Sequence, residues 1–74
     1  MDMPGFLQLA TMERLLKEAG AARVSDKAKA ALKEILEELG LKIGADAVRF
    51  AAHSRRKTVK SSDVRLAAKG RMER

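Results

Sequence analysis

The chain has no cysteine, tryptophan or tyrosine, a single proline, a single histidine and only two aromatic residues, Phe6 and Phe50. Each scarcity excludes something. Without cysteine there is neither a disulfide framework nor a thiolate zinc site, and one histidine, His53, leaves no cluster of metal ligands. No metal and no cofactor are expected. Two aromatics in 74 residues argue against a stacking platform for single-stranded nucleic acid. No apolar run approaches the ~18 residues of a membrane span. The first residues, MDMPGFLQLATMER, carry an acid at position 2 and no basic stretch, which argues against a signal peptide. Paired carboxylates, a nucleophile with its base and a glycine loop for phosphates are all missing, so an enzyme is not expected.

A chain of 74 residues reads as one domain, residues 1–74. Domains of this size bury only ~60% of their unfolded surface, so a monomeric core is marginal. With disulfides and metals excluded, association with another chain is the remaining supplement. Sixteen Lys and Arg against ten Asp and Glu give a net charge of +6, a balance expected of proteins that bind nucleic acid or anionic membrane. The shortage of aromatics favours the backbone of a duplex as the target, and the chain reads as cytoplasmic with no membrane partner.

The pattern along the chain is helical throughout. In FLQLATMERLLKEAG, the residues Phe6, Leu9, Met12, Leu16 and Ala19 recur at steps of three and four, and Gly20 sits where a C-terminal cap belongs. The start is open between Pro4 as first helical residue and Thr11 as N-cap. Arg14 and Lys17 share the polar face, each with an acid four residues away, Glu18 and Glu13. A second segment opens with Ser25 or Asp26 as N-cap and runs through KAKAALKEILEELGLKIGADAVRFAAH, about 42 Å of helix. Its stripe of Ala28, Leu32, Ile35, Leu39, Ile43, Ala47 and Phe50, widened by Ala31, Leu36, Val48 and Ala51, is too broad for two short helices to cover, which implies a partner chain. Gly40 and Gly44 each cost ~1 kcal/mol inside a helix, marking either close approach of another helix or a break. The third segment, SSDVRLAAKGRMER, starts near Ser61 or Ser62, with Asp63 in the first turn where an acid complements the helix dipole. Before it, SRRKTVK places Arg55, Arg56, Lys57 and Lys60 within six residues.

Three motifs, in one order, carry a family resemblance. AGAARVSDKA (Ala19 to Ala28), ILEELG (Ile35 to Gly40) and RKTVKSSDVRLA (Arg56 to Ala67) resemble the corresponding motifs of the tail-less archaeal histones. The resemblance covers about residues 10–69, leaving 1–9 as a variable N-terminal extension; the usual P-x-A-P entry is replaced by QLAT, residues 8–11, and preceded by extra residues. It also departs in the second loop, where relatives read H-A-G-R-K-T and this chain reads HSRRKT. Arg55 thus stands in place of a glycine, at ~1 kcal/mol if the backbone there is left-handed.

The resemblance implies an all-α histone fold of short, long and short helices, forming a handshake dimer whose core takes in Leu32, Ile35, Leu36, Leu39 and Ile43. It implies a protein that binds, bends and compacts double-stranded DNA largely without sequence specificity, associated with the nucleoid. The first loop of each subunit would lie beside the second loop of the other, gathering Arg23 with Arg55, Lys57, Thr58 and Lys60. Arg14 and Lys17 would meet DNA where the first helices come together. By the same resemblance Arg23 enters the minor groove near Thr58, and Arg56 pairs with Asp63 to fix the second loop on the third helix. Phe50, His53 and Asp63 would lie where dimers stack on DNA. The partner is a second copy or a paralogue, and the alternative function is a histone-fold subunit of a heteromeric transcription or replication complex.

Overall fold

The computed structural model describes residues 6–72. Three helices follow one another: α1 (Leu9–Glu18), α2 (Asp26–His53) and α3 (Ser61–Met72), with no strand among the described residues. The chain divides into two compact units, residues up to Glu38 and residues from Leu39 onward.

In the first unit, α1 begins between the two starts that the sequence suggests. Gln8 is the N-cap and contributes no side-chain cap; its carbonyl accepts from the amides of Thr11 and Met12 at 3.1 and 3.3 Å. Thr11 therefore lies inside the first turn, and Pro4 lies outside the described residues. The helix stops at a Schellman turn: the Ala21 amide donates to the Leu16 carbonyl and the Gly20 amide to Lys17, both at 3.0 Å. This closure needs a left-handed residue, and Gly20 supplies it at φ 118 without a side-chain penalty. Ser25 then caps α2, its Oγ accepting from the Ala28 amide at 3.0 Å. Met12 is the buried apolar centre of this unit. The carboxylate of Glu37 is also buried in this unit; Oε2 accepts from the Leu7 amide at 2.6 Å and faces Lys33 Nζ at 3.7 Å. Its Oε1 is buried with no hydrogen-bond partner among the described residues.

Among the described residues, the second unit buries only small apolar residues, Ala47, Ala51 and Ala67, together with Asp63. Gly40 and Gly44 do not break α2, and a β-carbon added at either would meet nothing within 4 Å. The end of α2 repeats the Schellman closure. The Arg56 amide donates to the Ala51 carbonyl and the Arg55 amide to Ala52, both at 2.9 Å. Here the left-handed position is held by Arg55, at φ 58. α3 starts on backbone bonds from the amides of Asp63 and Val64 to the Lys60 carbonyl, at 2.9 and 3.2 Å.

The five positions read as a dimer core are not buried in the single chain. Ile35 is 60% exposed, and Leu32, Leu36, Leu39 and Ile43 are half-buried. Leu9, Leu15, Leu41, Val48 and Leu66 are exposed as well. Apart from Met12, the buried apolar residues are alanines while large apolar side chains are exposed or half-buried, the reverse of what a self-sufficient core requires.

Candidate functional site

The loop between α2 and α3 is organised around one carboxylate. Arg56 grips Asp63 with both ends of its guanidinium, Nη1 to Oδ2 and Nη2 to Oδ1, each 2.9 Å. The same Nη1 donates to the Thr58 carbonyl at 2.9 Å, and Asp63 Oδ2 also accepts from the Lys60 amide at 2.8 Å. Lys60 is the residue before α3 and Asp63 is its third residue, so the carboxylate closes the helix start while it holds the arginine. Local capping and pairing with Arg56 are two readings of Asp63 that the sequence sets against each other; this geometry realises both at once. The carboxyl of Asp63 is held down to about 2, first by the hydrogen bonds from Arg56 and then by the Lys60 amide, against the opposing effect of burial.

The grip leaves the rest of the loop outside. Arg55, Lys57, Thr58, Val59 and Lys60 are exposed, whereas Arg56 is half-buried. Arg55 and Lys57 make no ion pair or side-chain hydrogen bond among the described residues, so their charges are available to an outside anion. Phe50, half-buried, and His53, exposed, lie one turn apart at the end of α2. No hydrogen bond joins His53 to Asp63 within the chain.

In the first unit, Arg14, Lys17 and Arg23 are all exposed. Arg14 makes no ion pair among the described residues, so the pairing with Glu18 that their spacing allows is not formed. Lys17 does meet Glu13, at 3.3 Å, and the other oxygen of Glu13 faces Lys29 at 3.6 Å. Lys29 in turn lies 3.1 Å from Asp26 in the first turn of α2. Arg23, in the loop before α2, has no ion-pair partner among the described residues. The bridging by Lys29 is a feature that the sequence reading misses. Its contact with Asp26 is legible as a spacing of three, but its contact with Glu13 joins two helices and has no local signal.

A further charge cluster lies on the second unit. Asp46 receives Arg71, through Nε at 3.0 Å and Nη2 at 2.9 Å, and also Arg49. Among the described residues there is no group of three or more His, Cys, Asp or Glu placed to hold a metal, and no helix long and apolar enough to cross a membrane.

Short, long and short helices, joined by loops of which the second is pinned to the third helix by an arginine–aspartate pair, define a histone-fold protein. Residues 5–68 match the model of the family described as histone-like transcription factor (CBF/NF-Y) and archaeal histone, and the chain belongs to that family. It is 52% identical over 63 residues to a subunit of the archaeal histone HAN1 of Thermococcus zilligii, an alignment covering 85% of this chain and 94% of the relative. It is 47% identical over 64 residues to the probable archaeal histone 3 of Methanocaldococcus jannaschii, covering 86% and 96%.

Proposed function

We propose that the chain is a single histone-fold domain that pairs as a handshake dimer and binds, bends and compacts double-stranded DNA through its phosphates, as a chromosome-associated protein. The observation that carries this reading is the second loop. By drawing Arg56 inward onto Asp63, it leaves Arg55, Lys57 and Lys60 outward on a fixed backbone. Such a display of outward cations suits a polyanion, whose phosphates it can meet.

Two further observations support pairing. Large apolar residues of α2 are left uncovered in the single chain, and open space surrounds Gly40 and Gly44, where a second helix can approach closely. In the handshake, α2 of each chain crosses α2 of the other, and the first loop of one chain lies beside the second loop of its partner. At each end of the dimer, Arg23 then joins Arg55, Lys57, Thr58 and Lys60 of the other copy, with Arg23 entering the minor groove. Arg14 and Lys17 hold the phosphates between the two ends. Cations gathered on one face neutralise one side of the duplex, which favours bending toward the protein. No side chain in the set is committed to a base edge, so preference among sequences follows the cost of bending. Dimers in turn stack along DNA through Phe50, His53 and Asp63.

The experiment is to mix the purified chain with random duplex and follow ring closure of short DNA fragments. Retarded complexes and faster closure are expected; absence of both refutes the reading. One relative carries the word subunit in its name, which favours a second reading: a chain that pairs with a different histone-fold chain in a heteromeric assembly. Sedimentation of the chain alone separates the two, since a stable homodimer supports self-pairing and a monomer supports the heteromer.

A further inference from the structure

Among the described residues, Glu13 is the one acid that faces the ammonium of a proposed DNA-binding lysine, and it is shared. Its Oε2 faces Lys17 at 3.3 Å and its Oε1 faces Lys29 at 3.6 Å. The two lysines differ in their freedom. Lys17 has a side chain 52% exposed and this one acidic neighbour among the described residues, whereas the Lys29 side chain is only 18% exposed and is also anchored to Asp26 at 3.1 Å. Lys29 is therefore the fixed cation of the group and Lys17 the one able to swing away. The carboxyl of Glu13 is held below the usual carboxylate range, first by its hydrogen bond from Lys17 and then by the charge of Lys29.

To meet a phosphate, Lys17 must leave Glu13, and a carboxylate without its cation then stands beside the incoming phosphate. Repulsion between the two opposes the contact unless another cation stays on the carboxylate. Lys29 is in place to do this, and it need not touch DNA.

We propose that Lys29 is a positioning residue for DNA binding, one that keeps Glu13 neutralised so that Lys17 can exchange its carboxylate for a phosphate. This rests on the reading of Lys17 as a phosphate-binding residue. Without Lys29, Lys17 remains on Glu13 and does not reach the phosphate. Without Glu13, Lys17 is free from the start and Lys29 has no task.

The test is a double-mutant cycle on affinity for a random duplex, measured across salt concentrations with Lys29→Gln, Glu13→Gln and the pair. Exposed ion pairs of this kind are worth roughly 1.4- to 5-fold. Lys29→Gln is expected to weaken binding by about 2- to 5-fold and to shallow the salt dependence by about one phosphate per chain. Glu13→Gln should tighten binding by a similar factor. In the Glu13→Gln background, Lys29→Gln should change affinity by less than about 1.5-fold, the coupling a cycle isolates. Lys29→Arg, which keeps the charge, should restore parental affinity, and melting temperatures should not track these changes. If the effect of Lys29→Gln persists undiminished when Glu13 is already neutral, Lys29 touches DNA itself or acts on the fold, and the proposal is wrong. A parent protein that binds no duplex would instead remove the DNA-binding reading, and this inference with it.

Discussion

Replacing Arg55 by glycine separates two effects that this residue combines. Its backbone stands at φ 58 in the closing turn of α2, where a β-carbon costs about 1–2 kcal/mol. Glycine removes that strain but returns part of the gain, because it also loosens the unfolded chain. The net gain is about 0.5–1 kcal/mol per chain. For a domain of this length 1 kcal/mol corresponds to about 4–8 °C in Tm, so the variant should melt about 2–8 °C higher. Pairing of two chains doubles both the gain and the unfolding entropy, which leaves the expected shift unchanged. The same substitution deletes an exposed cation of the second loop, so the slope of log affinity against log salt should shallow by about 0.9 for each phosphate no longer held. Thermal melts followed by circular dichroism and anisotropy titrations with a labelled duplex read the two effects. Arg55→Ala is the control: it removes the cation and keeps the β-carbon, so DNA binding should weaken with no rise in Tm. A glycine variant that melts at or below the parent would refute the account of the strained turn.

Three other substitutions probe separate parts of the structure. Leu39→Glu sets a charge on the face of α2 that pairing would bury; the variant should lose its helical signal and cooperative melt, and a helical monomer would contradict the handshake. The Asp63 carboxyl lies at about 2 in the folded chain against ~3.9 when unfolded, so its contribution to stability is complete above about pH 4 and is lost as pH falls toward 2. The gap in Tm between the parent and Asp63→Asn should therefore close across that window, and a constant gap would show that the pair with Arg56 contributes nothing that depends on ionisation. His53→Ala should remove the longer nuclease-protected DNA lengths and keep the shortest; an unchanged ladder would mean that dimers do not meet at the end of α2.

Much of the fold is legible because its signals are local. The Ser25 cap, the Gly20 turn and the unbroken period of α2 each depend on neighbours within a few residues. The start of α1 is not legible in this way, since Gln8 offers no capping side chain and the first turn is held by backbone alone. In the second loop, the residues that come together, Arg56, Thr58, Lys60 and Asp63, lie within eight positions and are announced by the RKT and SSD motifs. What the sequence leaves out is the pairing of charges across elements. Lys29 on Glu13, the Leu7 amide on Glu37 and Arg71 on Asp46 span long sequence separations. Nothing in the spacing of acids and bases selects these partners from the others that composition offers. The left-handed turn at Arg55 is a different case, because arginine carries no conformational signal and the neighbouring family motif alone marks the position as one built for glycine.

Phosphates, not bases, are what the protein is proposed to hold, and the salt dependence of duplex binding tests this most directly. Six proposed cations per chain, twelve in a dimer, set an upper bound on the phosphates engaged; with half to all in use, the slope of log affinity against log salt should lie between about −5 and −11. Two duplexes of unrelated sequence and similar flexibility should give the same line. A slope near zero, or a change of about 1–3 kcal/mol on altering a single base pair, would contradict the account.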